Sequence, residues 1–414
     1  MKTLKLGFIG AGFIAKFQAL AMKQVRNCEI SAIYDHTGAG SLADYAKKNG
    51  LGEPKLYKTV ADLCNHCDAV ALLSPNYTRI EMMEQVVDAV KKGAELKGVI
   101  CEKPLGRTVA EAERMVQLAK EANLLTSYFE NQLHMNSINN ALLQLRPQQK
   151  VMGGFTLARS TEEHAGPHNA WFWDPTRQGG GVLSDMGCHS IAIGRHILTP
   201  EGKSATFLEP VSMQCDTSLL KWGQPKYRKQ LMDKFGVDYS KTPAEDFATG
   251  IATFKNPESG QLLKAQFTDS WMYDKQGLRL WMDALGPGYA MEVNTLISPV
   301  EIFIGDEAAE GVADAETALE KSTSSRGLLS VLPNEADLYG YTTEIQDAVN
   351  SFLNGKNALL DFEFGAEVTF LVQAAYMAAE QKKTIDLTDE KVKKELKTYK
   401  SLISQGHGAE ILFS

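Results

Sequence analysis

The chain of 414 residues lacks the features that mark several special classes of protein. No apolar run reaches the roughly 18 residues that a membrane span needs, so we predict no membrane partner. Basic residues are not in excess, because the formal net charge is −8, and this argues against nucleic acid as a partner. Internal repeats, low-complexity runs and a proline-rich linker are also absent. These absences leave the pattern of an ordinary globular protein.

Cysteine is scarce as well. The six cysteines have irregular spacings that do not fit a disulfide framework, which indicates reduced thiols in a cytoplasmic protein. Cys64 and Cys67 form a single C-x-x-C pair, whereas a closed zinc site needs four ligands. We therefore predict no metal site.

The order of the predicted elements divides the chain near residue 130, and a content of 44% hydrophobic residues is enough to fill two cores. Residues 1–130 alternate short apolar strands with helices, which is typical of a parallel sheet covered on both faces. Residues 131–414 place strand after strand, with the candidates GGFTLARS, EPVSMQCDT, DFATGIATF, LLKAQFTDSW, LRLWMDALG and YAMEVN. The prediction is an α/β protein in which a Rossmann domain precedes an α+β domain with an open, largely antiparallel or mixed sheet.

Three further segments of the second part have distinct compositions. Residues 219–246 form a polar insertion with aromatic residues, and residues 306–336, rich in Ala, Glu and Ser, are predicted to be a surface excursion. Residues 340–381 are predicted to be helical, in two pieces split by NGKNALLDFEFG.

A glycine pattern follows the first predicted strand directly. The segment GAGFIA, from Gly10 to Ala15, fits G-x-G-x-x-A between a strand and a helix. Gly10 permits the tight turn, and Gly12 lets a pyrophosphate approach the backbone. The helix that begins with Phe13 and Ile14 directs its N-terminus toward that anion. The pattern predicts a dinucleotide site.

The second predicted strand ends at Asp35, which indicates the type of dinucleotide. A carboxylate there can accept hydrogen bonds from a ribose 2′-hydroxyl and would repel a 2′-phosphate. His36 and Thr37 supply no arginine that would bind such a phosphate. We therefore predict NAD as the cofactor in preference to NADP.

Two more strands carry polar residues where they end. Ser74, Pro75 and Asn76 follow the third strand, and Glu102 and Lys103 end the strand GVICEKP. Because ligands bind at the carboxyl edge of an open parallel sheet, we expect these five residues to contact the cofactor. Lys103 should point toward the nicotinamide end.

The segment QGGGVLSDMGCHSIAIGRHIL, residues 178–198, is predicted to be three glycines that open a helix apolar on nearly every side. Such a helix is normally buried, where a carboxylate or an imidazole needs a partner. Asp185 and His189 lie one turn apart and can contact each other. Their spacing fits a buried structural pair as well as a site, and the glycines would let substrate and cofactor come close.

Four motifs together resemble the glucose-fructose oxidoreductase / inositol dehydrogenase / MocA (Gfo/Idh/MocA) family of NAD(P)-dependent sugar oxidoreductases. They are GFIGAGFIA at residues 7–15, SPN at 74–76, EKP at 102–104 and GGGVLSDMGCHSI at 179–191. The resemblance spans nearly the whole chain. It implies a substrate domain whose open sheet often joins copies into a homo-oligomer, a dimer or tetramer, and a small-molecule carbohydrate substrate.

Carried over by position, the resemblance implies that Lys103, Asp185 and His189 are the catalytic residues. His189 suits the role of base because an imidazole has an ordinary pKa of about 6.5. Asp185 would orient the ring or bind the substrate, and Lys103 would place positive charge beside the developing oxyanion. Spacing alone leaves either His189 or Lys103 as the proton acceptor, and we favour His189. The family often has a histidine near Arg79, so the contact made there stays open.

Substrate contacts are predicted in the segment that leads into the glycines. The candidates are Arg159, His164, His168, Trp171, Trp173 and Arg177. In the insertion, Trp222 and Tyr227 either stack on a sugar ring or belong to ordinary packing, and packing is the preferred interpretation.

Three functions fit these residues. The first is NAD-dependent transfer of a hydride from a secondary hydroxyl of a sugar, glycoside or cyclitol. The second is a glycoside-cleaving enzyme, in which tightly bound NAD oxidises C3 transiently, elimination expels the aglycone and the NADH formed reduces the ketone. The third is a non-catalytic sensor of dinucleotide and sugar, which would not need a lysine, an aspartate and a histidine together.

Overall fold

Six parallel strands form the first sheet, in the order β3-β2-β1-β4-β5-β6. The strands are β1 (Leu4–Ile9), β2 (Cys28–Tyr34), β3 (Lys55–Tyr57), β4 (Ala69–Leu72), β5 (Gly98–Glu102) and β6 (Leu125–Phe129). The helices between them are α1 (Phe13–Ala21), α2 (Gly40–Lys48), α3 (Val60–Cys64), α4 (Arg79–Lys91) and α5 (Val109–Glu121). The strand order reverses beside β1, where an open parallel sheet of this kind binds its ligand.

The structure is a computed structural model that describes residues 2–275, 277–297, 301–304, 327–330 and 334–413. Most of the predicted surface excursion at residues 306–336 lies outside these residues. Within them, no helix combines the length and the apolar character that crossing a membrane requires.

The second sheet has seven strands in the order β12-β11-β7-β10-β9-β8-β15. The strands are β7 (Leu157–Glu163), β8 (Glu209–Ser218), β9 (Phe247–Lys255), β10 (Leu262–Ser270), β11 (Arg279–Gly286), β12 (Tyr289–Asn294) and β15 (Ile385–Asp386). Strands β7 and β10 run parallel and the other neighbours antiparallel. A separate hairpin pairs β13 (Glu301–Ile304) with β14 (Gly327–Ser330). The predicted fold class, a Rossmann domain followed by a domain with a mixed sheet, is confirmed.

Helices cover one face of the second sheet. The helices after β6 are α6 (Asn136–Met152), α7 (Pro175–Gln178), α8 (Val182–Asp185), α9 (Gly187–Leu198), α10 (Pro225–Phe235), α11 (Glu335–Leu338), α12 (Tyr341–Leu353), α13 (Phe362–Gln381), α14 (Glu390–Thr398) and α15 (Ala409–Leu412). Helix α9 packs on β7 and β10, and α13 packs on β8. The opposite face leaves Ile251, Leu262 and Leu285 exposed. Association of copies through that face stays a prediction.

The prediction that the three glycines open one continuous helix, which runs to Leu198, is wrong. Gly179 ends α7 in the left-handed conformation with a φ of 94°, a conformation that favours glycine. Helix α8 then ends at Asp185, because the backbone at Met186 opens to a φ of −118° before α9 begins. The split predicted within residues 340–381 is also shorter than expected. Asp361 caps α13 by accepting the Phe364 N–H, so DFEFG lies mostly in that helix.

The glycines of this segment are required by packing inside the domain. A Cβ atom on Gly180 would overlap the Tyr376 hydroxyl, and one on Gly181 would overlap the backbone oxygen of Glu245. The Glu245 carboxylate accepts hydrogen bonds from the Gly181 N–H and the Leu183 N–H. Glycines 179–181 do not line the cleft described below, so the expectation that they let substrate and cofactor come close is corrected.

The chain returns to the first sheet after building the second. The Tyr128 N–H donates to the Leu360 oxygen at 2.8 Å, and the Ala358 N–H donates to the Thr126 oxygen at 3.1 Å. Helix α12 packs against α1. The division at residue 130 stays a prediction.

Replacing Gly181 with alanine tests the packing of the glycine loop. Gly181 has a negative φ of −106°, so alanine does not need the left-handed conformation there, and its Cβ would overlap the backbone oxygen of Glu245. We expect the free energy of unfolding to fall by about 1–3 kcal/mol, which is the usual cost of overpacking. Thermal and denaturant unfolding measure it. Gly154→Ala is the control, because a Cβ there meets nothing within 4 Å. Equal stability of both variants would contradict the steric explanation.

Candidate active site

A cleft of about 1100 Å³, its open mouth included, lies at the carboxyl ends of β1, β4 and β5 and extends to the second domain. Residues of both predicted domains line it. Those of the first include Gly12, Phe13, Ile14, Ser74, Pro75, Asn76, Arg79, Glu102 and Lys103, and those of the second include Gln132, Glu162, His164, His168, Trp171, Asp185 and His189. The cleft therefore collects most of the residues predicted from the sequence.

The glycine turn after β1 has the backbone that a dinucleotide needs. Gly10 has a φ of 111°, and a Cβ there would lie 2.8 Å from the backbone of Leu73 and Ser74. A Cβ on Gly12 would meet no protein atom within 4 Å, so the space beside it is open. Helix α1 begins at Phe13, which directs its N-terminus toward that space. These residues fit a bound pyrophosphate.

Asp35 follows β2 beside this turn but does not itself line the cleft. Its Oδ2 accepts the Ala11 N–H at 2.8 Å, and its Oδ1 accepts the N–H and hydroxyl of Thr37. Burial opposes ionisation, but the hydrogen bonds from Thr37 and Ala11 outweigh it and lower the pKa of Asp35. The carboxylate is therefore ionised near neutral pH and fixes the glycine turn.

Arg79, which stands where the family often has a histidine, fastens the end of β5. Its guanidinium donates to three successive backbone oxygens, those of Glu102, Lys103 and Pro104. It also donates to the Ser74 oxygen at 3.4 Å. Arg79 thus holds the backbone of Lys103 in place. This is the contact made at position 79, which the sequence had left open.

Glu102 directs one carboxylate oxygen toward α1, while the other, Oε2, accepts the backbone N–H of Lys103 at 3.3 Å. Its Oε1 accepts the Gln18 amide at 2.7 Å, and the same amide donates to Glu344 on α12 at 3.2 Å. Burial raises the pKa of Glu102 and, together with repulsion from Glu102, that of Glu344. The hydrogen bonds among Glu102, Gln18 and Glu344 therefore connect β5, α1 and α12.

Lys103 and Asp185 form an ion pair across the cleft. The ammonium nitrogen lies 3.1 Å from Oδ1 of Asp185 and 2.8 Å from its backbone oxygen. Burial favours the neutral amine, but the charge of Asp185 outweighs it and raises the pKa of Lys103 above the ordinary value. On the other side of the carboxylate, Nε2 of His164 lies 3.9 Å from Oδ2. Lys103 is therefore a fixed positive charge at neutral pH.

His189 is hydrogen-bonded to Glu130, which the sequence analysis missed. Nδ1 of the imidazole contacts Oε1 of Glu130, and the two side chains are 4% and 0% exposed. Burial favours the neutral ring, but the charge of Glu130 outweighs it and raises the pKa of His189. Asp185, the carboxylate predicted for this role, instead pairs with Lys103. Glu130 directly follows β6, so the rule of carboxyl strand ends would have found it had β6 been predicted.

Half of the predicted substrate residues line the cleft. His164 lies beside Asp185, His168 packs on the Phe13 ring with centroids 4.5 Å apart, and Trp171 stacks on Phe172 at 3.8 Å. The rings of Phe13 and His168 come from the two predicted domains, and both residues line the cleft.

The other three predicted substrate residues lie elsewhere. Arg159 pairs with Asp283 at 2.7 Å on the sheet face opposite α9, since successive strand residues alternate between faces. Trp173 is buried 4.7 Å from Trp222, centroid to centroid. Arg177 is exposed, and its Nε lies 3.4 Å from Oδ2 of Asp174, the N-cap residue of α7.

The aromatic residues of the insertion belong to packing. Trp222 donates its Nε1–H to the Trp271 oxygen at 2.7 Å, and the rings of Trp222 and Tyr227 lie 5.6 Å apart. Neither lines the cleft. The preferred interpretation is therefore supported over a sugar-stacking role.

Among the described residues, Glu130, Cys188 and His189 place three donor atoms of the type that binds metals within 4.8 Å of one another. Burial raises the pKa of the Cys188 thiol well above its ordinary value, and a closed tetrahedral site would need a fourth ligand besides these three. The thiolate, not the thiol, ligates metals. We assign no metal to this group.

The sheet order, the glycine turn and the polar cleft define a two-domain, dinucleotide-binding architecture. Residues 4–129 match the family model described as "Oxidoreductase family, NAD-binding Rossmann fold". Residues 148–284 match the GFO/IDH/MocA C-terminal domain. The chain belongs to the Gfo/Idh/MocA family of oxidoreductases.

Curated relatives match this chain at modest sequence identity. A 1,5-anhydro-D-fructose reductase from Ensifer adhaerens is 26% identical over 202 residues, which cover 48% of this chain and 58% of the reductase. The chain spans about half the length of the first curated relatives that it matches. A D-glucoside 3-dehydrogenase from Escherichia coli is 24% identical over 93% of this chain and 97% of its own length.

A solved structure has the same fold over nearly the whole chain. GenD2 from gentamicin A biosynthesis, crystallised in complex with NAD, superposes with a TM-score of 0.71 at 18% identity. The match covers 94% of this chain and 97% of GenD2.

Gly12→Ala tests the dinucleotide site. A methyl group there enters the space left for a pyrophosphate without touching the protein. We expect the Kd for NAD to rise at least about tenfold, because the anion can no longer approach the backbone amides, while the melting temperature stays unchanged. Calorimetric titration with NAD measures it. Gly40→Ala is the matched control at the start of another helix, where a Cβ also meets nothing within 4 Å. Unchanged NAD affinity of Gly12→Ala would place the cofactor elsewhere.

Proposed function

We propose that the protein is an NAD-dependent dehydrogenase that oxidises a secondary hydroxyl of a neutral sugar, glycoside or cyclitol. One observation carries the proposal. Lys103 from the dinucleotide-binding domain pairs with Asp185 of the second domain in one cleft, which His189 also lines and which continues to Gly12. The similarity to a reductase and a dehydrogenase of sugars supports the substrate class.

His189 is the group that takes the hydroxyl proton. Lys103 has no lone pair while it is an ammonium, and Asp185 keeps it in that state. The imidazole can bind a proton near neutral pH, and Glu130 stabilises the imidazolium that forms. Lys103 stabilises negative charge on the substrate oxygen, and Asp185 holds Lys103 in position.

NAD is the cofactor that Gly10, Gly12 and Asp35 fit. When bound, it supplies the nicotinamide ring that accepts the hydride from the substrate carbon. We propose NAD rather than NADP because the ionised Asp35 would repel a 2′-phosphate.

The charges of the cleft favour a neutral substrate. Its carboxylates are Glu102, Glu162 and Asp185, and among the described lining residues its permanent cations are Lys103 and Arg79. Lys103 is paired with Asp185, and Arg79 donates to backbone oxygens. An anionic substrate would therefore enter a cleft whose described cations are already engaged, and burying an uncompensated charge costs several kcal/mol.

A substrate panel tests the proposal. The protein is incubated with NAD and with matched sets of neutral sugars, aryl glycosides and cyclitols, sugar phosphates and uronic acids, and NADH absorbance and aglycone release are followed together. We expect NADH to form with a neutral compound, with kcat/KM about two orders of magnitude above that of its phosphorylated or acidic counterpart. A preference for the phosphate would contradict the neutral class. Aglycone release without NADH accumulation would contradict net dehydrogenation.

Two variants test the assigned residues. Lys103→Ala and His189→Ala should each lower turnover by at least about 100-fold, because each removes a group that acts on the reacting oxygen. The Kd for NAD should change little, since neither residue belongs to the glycine turn. The exposed residues Lys92 and His407 supply control variants, Lys92→Ala and His407→Ala. Near-normal turnover of a folded Lys103 or His189 variant would remove its catalytic assignment.

A further inference from the structure

Two buried side chains of different elements, of which only His189 lines the cleft, form a hydrogen bond with each other. Glu130 follows the edge strand β6, and His189 lies on α9. Oε1 of Glu130 contacts Nδ1 of His189, whereas Oε2 has no hydrogen-bond partner in the described part of the chain. Burying a carboxylate is costly unless a partner compensates it. His189 is therefore the main partner of this buried charge.

We propose that Glu130 is the positioning residue of this site: it holds the His189 imidazole with its proton on Nδ1, so that the Nε2 lone pair remains for the substrate hydroxyl. A carboxylate accepts hydrogen bonds and donates none, so Nδ1 must carry the hydrogen. Glu130 does not line the cleft, whereas His189 does. As the substrate O–H bond breaks, an N–H bond forms at Nε2, and the proton on Nδ1 stays there. The role in catalysis rests on the proposed function, but the tautomer and the charge coupling do not.

Other charged groups also face His189, but each has another partner. Glu162 accepts the Gln132 amide at 2.6 Å, and Asp269 accepts the Ser190 hydroxyl at 2.6 Å. At the end of β5, Glu102 is bonded to Gln18, and the positive charge of Lys103 is paired with Asp185. Glu130 contacts the ring itself, through the hydrogen bond between its Oε1 and Nδ1 of His189, from a part of the chain that is distant in sequence. Its removal should therefore change the proton affinity of His189 more than any other single neutralisation.

Glu130→Gln and Glu130→Asp separate positioning from plain structural support. Glutamine keeps the size and removes the charge, and aspartate keeps the charge. Glu363→Gln, at an exposed carboxylate, is the control. Thermal unfolding of all three variants shows which of them are folded.

The first measurement is a histidine NMR titration without substrate, in which His189→Gln identifies the His189 signal. We expect the wild-type ring to titrate above its ordinary pKa of about 6.5, with the neutral form protonated on Nδ1. In Glu130→Gln the pKa should fall by at least about one unit, because an opposite charge at contact distance is lost. Glu130→Asp should stay near the wild type. An unchanged pKa in folded Glu130→Gln, or a neutral ring protonated on Nε2, would overturn the proposal.

The second measurement is the pH profile of kcat/KM for a substrate found in the panel. Oxidation needs the neutral ring, so the rate should rise with pH through the His189 pKa and then level off. In Glu130→Gln the acid limb should move to lower pH, and the plateau should fall about 10- to 100-fold because the imidazolium loses its counter-charge. A lower plateau with an unmoved limb would mean structural support only and would overturn the proposal. So would activity that a chelator removes and zinc restores, since Glu130 would then act as a ligand.

The two measurements fail independently. If no sugar is oxidised while the NMR titration behaves as expected, the dehydrogenase is refuted and the Glu130–His189 pair stands. If sugars are oxidised while the titration is unaffected by Glu130→Gln, the dehydrogenase stands and the positioning role is refuted.

Discussion

The ion pair between Lys103 and Asp185 is the interaction on which the cleft depends. It joins the end of β5 in the first sheet to α8 beside the second sheet, so it fixes the distance between the two domains at the reacting position. Each partner is itself held by its own domain. Arg79 fastens the backbone of Lys103, and Glu245 fastens the loop from which α8 starts. The positive charge therefore stands at a defined place when a substrate enters.

The carboxylates around this pair are kept apart by individual hydrogen bonds. Glu102 is bonded to Gln18, Glu162 to Gln132 and Glu130 to His189. Without these bonds, so many buried acids would repel one another or take up protons. Lys103 and His189, which both line the cleft, therefore have different roles. Asp185 keeps Lys103 positively charged, and Glu130 raises the pKa of His189.

The sequence predicts this fold well where a local pattern alone decides the structure. The glycine turn, the strand ends at Ser74 and Lys103 and six of the seven strands of the second sheet, all except β15, follow from periodicity and turn chemistry. Two edge strands of the first sheet were not predicted from the sequence. Strand β3 has only three residues and no buried position, and β6 carries polar residues between apolar ones. Because β6 was not predicted, Glu130 was not recognised as a residue at the carboxyl end of a strand.

Other errors come from contacts that no local pattern contains. The glycines at 179–181 match a ligand-binding loop, but the atoms that exclude their side chains belong to Glu245 and Tyr376, which are distant in sequence. Arg159 lies in a chemically suggestive segment, yet strand alternation directs it to the other face. Its neighbour Ser160 bonds to the backbone of α9, which fixes that alternation.

The return of the chain to β6 has a consequence for how the protein is made. The backbone N–H of Thr126 donates to the side-chain oxygen of Asn357, which lies 231 residues further along the chain. The edge of the first sheet therefore stays uncovered during most of synthesis on the ribosome. An uncovered edge strand invites pairing with other chains. The residues that complete this edge, Asn357, Ala358 and Leu360, lie in the last quarter of the chain, so the first sheet is completed only after they have been synthesised.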